Sequence, residues 1–258
     1  MRLTFLGTGT SFGVPQLGCG CAVCHSRDPR DRRTRVGAAV EMDNGVTLLL
    51  DTPPELRLQL IQAGIDRVDA VLFTHDHADH THGIDDLRAF TARSAEPLTV
   101  YGSAVTMDAL ARKFPYIFDD TLRPLPGTYK PEGRAHSLAE RETVSIAGFD
   151  VTPVRVPHGP SVVFAYRIGD LAYVTDAKCI PPESLERLRG ARVLVVNGLF
   201  RTPHPTHLSI PEAVEVAAAV GAERAYLTHL THKYSHAELE AELPPHVRPA
   251  YDGLTITI

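Results

Sequence analysis

Short apolar runs alternate with amphipathic stretches along most of the chain, a pattern that predicts strands feeding helices. Leu3 to Leu6, Ala70 to Phe73, Leu98 to Tyr101, Leu171 to Thr175, Val193 to Val196 and Ala225 to Leu227 read as strands. Ala38 to Met42 and Val46 to Leu50 flank Asp43-Asn44-Gly45, whose Asn-Gly is a strong hairpin signal, so they are expected to pair antiparallel and end at Asp51. Val144 to Ile146, Phe149 to Val156 and Ser161 to Ile168 form a further antiparallel set, and Leu254 to Ile258 closes the chain. Pro54 to Ala63 carries Leu56, Leu60 and Ile61 at helical spacing and stops at Gly64, a helix C-cap residue. Helices are also expected from Gly83, over Ser103 to Phe114, over Pro182 to Leu188, over Ile210 to Val220 and after Ser235, the last two opened by capping-box patterns at Ser209 and Ser235. Residues 115 to 137 hold four prolines and no clean period, and are expected to cover a pocket. No linker or composition shift divides the chain, so one α/β domain over residues 1–258 is the economical expectation.

Composition narrows the class without naming the chemistry. With 258 residues, 43% of them hydrophobic and 22% charged, the chain can bury a substantial core. A formal charge of −5 makes large nucleic acid a poor default partner. No apolar run approaches the ~18 residues of a membrane span, and the N-terminus turns glycine-rich too early for a signal peptide, which points to no membrane partner and a cytoplasmic location. The loop Gly7 to Pro15 lacks the ending of a phosphate-binding P-loop and reads as a tight turn beside the site. Arg27 to Arg35 reads as a solvated basic loop, and Cys179 as a small buried apolar residue.

Chemistry concentrates at Thr74-His75-Asp76-His77-Ala78-Asp79-His80, five ligand or proton-carrying residues within six positions, directly after an apolar strand. Open sheets place their sites at such strand ends, and imidazole with carboxylate suits borderline divalent metals. His158, Asp176 and His229 lie at the ends of three other expected strands. Cys19, Cys21 and Cys24 are spaced too tightly for a disulfide framework and suit a metal.

The order His75-x-His77-x-Asp79-His80, then His158, Asp176 and His229, resembles the metallo-β-lactamase superfamily over essentially the whole chain. The resemblance implies an αββα four-layer sandwich with a two-metal site at one edge of the paired sheets. It further implies that His75, His77 and His158 bind one metal, that Asp79, His80 and His229 bind a second, and that Asp176 bridges them. The lactam-hydrolysing members usually lack the bridging Asp, so its presence points toward phosphodiesters.

A narrower resemblance rests on Cys19-x-Cys21-x-x-Cys24 together with His232, three positions after His229. This set is similar to the cyclic phosphodiesterases of the bacterial carbon–phosphorus lyase pathway and implies a structural Zn²⁺ held by three cysteines and one histidine, a closed tetrahedral shell. The same resemblance makes His207 the general acid that protonates the leaving oxygen, acting alongside Asp79 in catalysis, with His204 its nearest competitor and Arg201 a candidate phosphate contact. The expectation is a hydrolase of a small, cyclic phosphate ester, with two active-site Zn²⁺ or Mn²⁺ ions, one structural Zn²⁺, and a homodimer as the default assembly. Transfer-RNA 3′-processing, a part in quinone-cofactor biosynthesis, and a metal-binding protein without turnover are the rivals. No basic Gly/Pro-rich arm that could clamp RNA is present.

Overall fold

Leu48, Leu49 and Leu50 are all fully buried, although a strand turns alternate side chains to opposite faces. Leu48 and Leu50 pack with Phe5, Tyr166 and Tyr173, whereas Leu49 packs with Leu56 and Leu110. The sheet they belong to is therefore covered on both sides, which is why its central strands read as unbroken apolar runs. Each such leucine contributes about 1.5–3 kcal/mol by leaving water.

The structure, a computed structural model, describes residues 1–94, 96–140 and 142–258. Its strands are β1 (Arg2–Gly7), β2 (Gly37–Glu41), β3 (Thr47–Leu50), β4 (Ala70–Leu72), β5 (Leu98–Gly102), β6 (Gly133–Ser137), β7 (Val144–Ile146), β8 (Phe149–His158), β9 (Ser161–Ile168), β10 (Leu171–Val174), β11 (Val193–Asn197), β12 (Arg224–Thr228), β13 (Val247–Pro249) and β14 (Thr255–Thr257). Its helices are α1 (Leu56–Ala63), α2 (Ala78–Thr81), α3 (Arg88–Thr91), α4 (Ala104–Lys113), α5 (Pro115–Phe118), α6 (Pro182–Leu188), α7 (Ile210–Val220) and α8 (His236–Glu242). One sheet runs β14-β1-β2-β3-β4-β5-β6 and the other β13-β12-β11-β10-β9-β8-β7.

Both halves of the chain follow one plan. Antiparallel neighbours come first, β1-β2-β3 and β7-β8-β9-β10, and parallel strands joined through helices follow, β3-β4-β5-β6 and β10-β11-β12-β13. The sheets face each other across a core that includes Phe5, Leu72, Tyr166 and Val195. Residues of α1 and α4 cover the outer face of the first sheet, and those of α6, α7 and α8 the outer face of the second. The result is an αββα four-layer sandwich of the α/β class.

Local chemistry sets the helix ends. Gly64 closes α1 in the left-handed region at φ 68°, and both Ser209 and Ser235 make complete capping boxes. Among the described residues no helix is long and apolar enough to cross a membrane.

Several expectations need correction. The segment 115–137 is not irregular throughout: it opens with α5 and ends in β6, and β6 pairs in parallel with β5 at the edge of the first sheet. Ile61 is 64% exposed, and its place on the inward face of α1 is taken by Gln59, whose amide donates to Thr34 Oγ1 and Arg35 O. Cys179 is exposed. The basic stretch 27–35 is only partly solvated, because Arg33 is buried and donates to the carbonyls of Thr231 and Tyr234 and to Asp31. Both terminal nitrogens of this buried guanidinium are thereby answered, which offsets much of the cost of burying it, while Nε stays without a partner.

Candidate metal centre

The strand ends converge at one edge of the sandwich. After β4 the chain supplies His75 and His77, and α2 supplies Asp79 and His80. His158 ends β8, Asp176 lies just beyond β10, and His229 just beyond β12. Asp51, Asp176 and His229, each just past a strand, have left-handed backbones with φ of 64°, 55° and 57°. Such residues cost of order 1–3 kcal/mol each and persist where a site over-determines them.

The Asp176 carboxylate lies among five imidazoles. Its Oδ2 is 3.4 Å from His207 Nε2, 3.6 Å from His80 Nε2 and 3.8 Å from both His75 Nε2 and His158 Nε2, while Oδ1 is 3.5 Å from His229 Nε2. Asp79 Oδ2 is 3.6 Å from His80 Nε2 and 4.0 Å from His229 Nε2. Ligand atoms of His75, His77, His158 and Asp176 lie within 4.8 Å of one another, and those of Asp79, His80 and His229 form a second such group.

The outward nitrogens of His75, His80 and His158 are held, so their inward ones are free to meet a cation. His80 Nδ1 donates to Asp51 at 2.8 Å, and His158 Nδ1 donates to Thr206 O at 2.9 Å. Thr74 donates to Asp51 through both its N–H and its hydroxyl, which leaves Oγ1 to accept from His75 Nδ1 at 3.0 Å. Fixing the tautomer through the remote nitrogen is what metal-ligating histidines require. The Nε2 atoms of His75, His80 and His229 are buried with no hydrogen-bond partner. Orphaned imidazole nitrogens facing carboxylates fit a divalent cation and little else.

The charge balance agrees. Burial would raise the Asp176 carboxyl, but the charges of His229 and His80 and the hydrogen bond from His207 hold it well below the usual range. Burial would likewise raise Asp79, and His229 and His80 bring it down. His75 falls well below the ordinary histidine value, chiefly through burial and then through the charge of His80, so it offers a neutral nitrogen. Burial would lower His80, yet Asp176 and Asp51 lift it well above. A bound cation would supply the positive charge that His80 otherwise carries.

His207 is buried at the cluster's edge. Its Nδ1 is 2.8 Å from Thr206 Oγ1, and burial lowers its pKa despite the opposing hydrogen bond to Asp176. The ring stacks on His229 with centroids 4.7 Å apart. His204 follows at 5.4 Å, and its Nδ1 accepts from the N–H and lies near the hydroxyl of Thr206. Arg201 is committed elsewhere, paired with Glu242 and lying 4.0 Å over the Tyr234 ring.

A second cluster stands apart. His232 Nδ1 is 3.3 Å from Cys19 Sγ, 3.4 Å from Cys21 Sγ and 3.6 Å from Cys24 Sγ. The Cys24 N–H and then His232 lower the Cys21 thiol to about 6, while burial raises Cys24 to about 11. Between the two clusters opens a cavity of about 240 Å³ lined by residues of the 10–16 loop, the 199–207 loop and 229–233. The glycine-rich loop therefore lies where a turn beside the site was expected, and no residue of 115–137 lines the cavity.

Every residue singled out as a ligand from the sequence is in one of these two clusters. Asp51, Thr74 and Thr206 were missed. Asp51 shows in the sequence only as the polar residue after an apolar strand, the one feature it shares with Asp176. Thr206 has no such mark.

Comparison with known proteins places this geometry. The chain is 39% identical over its whole length to a protein of Porphyromonas gingivalis named octanoyltransferase, of which it spans about half. It is 27% identical to coenzyme PQQ synthesis protein B of Methylobacterium radiotolerans, over 77% of this chain and 73% of that one. The crystal structure of a diphosphatase from the PhnP family superposes with a TM-score of 0.90 at 38% identity, covering 99% of this chain and 97% of the other. The sequence profile of the beta-lactamase superfamily domain matches residues 46–230, which contain both histidine groups and Asp176, and on that match the chain belongs to the beta-lactamase superfamily.

Proposed function

We propose that this protein is a phosphodiesterase that hydrolyses a small phosphate ester, cyclic or of the diphosphate type. The observation that carries the reading is Asp176, placed between two ligand groups with one oxygen toward His229 and the other toward His75, His80, His158 and His207. A carboxylate so placed suits a bridge between two divalent ions, Zn²⁺ or Mn²⁺, with His75, His77 and His158 on one and Asp79, His80 and His229 on the other. Such ions, when bound, would lower the pKa of water and stabilise the negative charge that develops on phosphate oxygens.

The chain's own residues do the rest. His207 sits beside Asp176 with its Nε2 facing the cluster and donates a proton to the leaving oxygen as the P–O bond breaks. Thr206 orients it through Nδ1. The predominantly imidazole shell favours an anionic diester, and the diphosphatase of 38% identity supports phosphorus chemistry over lactam chemistry. Cys19, Cys21, Cys24 and His232 suit a structural Zn²⁺. A small substrate, an active site within one domain of residues 1–258, and a dimeric assembly complete the reading.

The test is turnover of bis(p-nitrophenyl) phosphate and 2′,3′-cyclic nucleotides against a β-lactam, with Zn²⁺ and Mn²⁺ in turn, alongside metal analysis. About three metals per chain and phosphodiester turnover are expected. His207→Ala should lower turnover of the alkyl esters by on the order of 10²-fold with the metal content kept. Fewer than two metals, or full activity in H207A, would contradict the reading.

A further inference from the structure

The cavity between the two clusters has a chemistry that the hydrolytic step does not use. One wall is the turn Thr10–Gly13, closed by the Gly13 N–H to Thr10 O bond at 2.9 Å. It is anchored on both sides, Val14 N–H donating to Arg33 O at 2.7 Å and Arg35 Nε donating to Ser11 O at 3.1 Å. At its tip Phe12 is 67% exposed. Phe200, in the loop that leads to His204 and His207, also lines the cavity. The lining of the cavity thus includes His207 and His229, where a leaving group would depart, and two phenyl rings supplied by different loops.

Lys233 lies on its rim. Other cations nearby are taken: Arg35 pairs with Glu55, Arg201 with Glu242 and Lys178 with Glu212. No ion pair or side-chain hydrogen bond engages the Lys233 ammonium among the described residues. At about 240 Å³ the space lies below the ~300 Å³ at which pockets for drug-sized ligands begin, so it suits one ring system with its substituents. An aromatic held at a pinned turn tip is a stacking surface waiting for a flat partner, and an unpaired ammonium beside it asks for an anion.

Resting on the phosphodiesterase reading above, we propose that this cavity is a nucleotide site for the leaving half of the substrate. It takes a heterocycle between Phe12 and Phe200 and a second phosphate at Lys233. The substrate class is then a nucleotide with one phosphate in the diester to be cleaved and another elsewhere on the molecule. In the reaction a water oxygen bonds to phosphorus, the bond from phosphorus to the nucleotide oxygen breaks, and that oxygen takes its proton from His207. The water gives up a proton as its oxygen bonds to phosphorus, and that proton replaces the one His207 lost, so charge and atoms balance.

Titration calorimetry on the metal-loaded protein tests this with ribose 5-phosphate, adenosine 5′-monophosphate and adenosine 3′,5′-bisphosphate. Affinity should rise at each step, by on the order of 10-fold for adding the base and again for adding the second phosphate. Phe12→Ala should shrink the first step to less than about threefold and leave the second. Lys233→Met should do the reverse. Equal affinities for the three ligands, or steps that neither variant changes, overturn the proposal. Because the readout is binding, a protein that shows these steps and turns over no phosphodiester would keep the nucleotide site and remove the hydrolytic reading, and the converse result would do the opposite.

Discussion

At the scale of single residues, Thr206 serves three histidines at once. Its carbonyl accepts from His158, and its hydroxyl lies 2.8 Å from His207 Nδ1 and 3.2 Å from His204 Nδ1. Thr206→Val keeps the carbonyl and the shape but removes the hydroxyl. It should lower turnover about tenfold for alkoxide leaving groups, much less for p-nitrophenolate, which needs no proton, and Thr206→Ser should restore the rate. An equal loss on both esters would refute the orienting role. Asp252 acts on stability instead. Its carboxylate accepts from Thr8 Oγ1 and from the N–H and hydroxyl of Thr34, and burial raises its pKa from 3.8 to about 6 against those bonds. The folded state therefore holds this proton more tightly than the unfolded state, so the group's stabilising contribution is complete below pH 3.8 and is lost as pH rises through 6. The stability advantage of the natural protein over Asp252→Asn should shrink by on the order of 1–2 kcal/mol between pH 4 and pH 7 in denaturant titrations of chelated samples. A difference that does not vary with pH would rule this out.

Among elements, the cysteine loop is a small unit with few apolar contacts of its own, and Cys24 is its buried member. Its order rests on the thiols meeting His232 and on Gln16 N–H donating to Cys24 Sγ at 3.3 Å. Cys19→Ser should lose one metal per chain and lower the unfolding temperature, with the active-site metals retained at low temperature. Simultaneous loss of all metals at low temperature would mean that the clusters are not separate. The loop was legible in the sequence because ligand spacing within one turn is local information. Strand β6 was not, because Gly133-Arg134-Ala135-His136-Ser137 has neither an apolar face nor alternation and is largely exposed. It is a strand because the edge of β5 offers backbone donors and acceptors that only another strand can answer.

For the whole molecule, the candidate centre joins the two sheets: His75 to His80 come from the first, and His158, Asp176 and His229 from the second. Ions shared between them would bind the folded chain and not the unfolded one. At 100 times their dissociation constant they would add about 2.7 kcal/mol, and removing them should lower the unfolding temperature by roughly 5–10 °C for a chain of this size. Scanning calorimetry before and after chelation, with metal loss verified by mass spectrometry, checks this. An unchanged midpoint would show that the ions do not tie the sheets together.

What the sequence alone determined was whatever depends on neighbours in the chain. The buried strands showed as apolar runs, the helix ends as Ser209, Ser235 and Gly64, and the ligands as His75 to His80 and the cysteine triplet. The later single ligands, His158, Asp176 and His229, were marked in the sequence only by standing at the ends of expected strands, and their division between two metals came only through a family resemblance. Tertiary structure alone decided the support of the site: Asp51 behind His80, Thr206 behind three histidines, and Arg33 buried under Thr231 and Tyr234. Apart from His207, which adjoins Thr206, those partners lie 29, 48 and 201 positions apart in the chain. Hydrogen bonds over such separations leave no period or spacing in a sequence, because they depend on where the strands end in space.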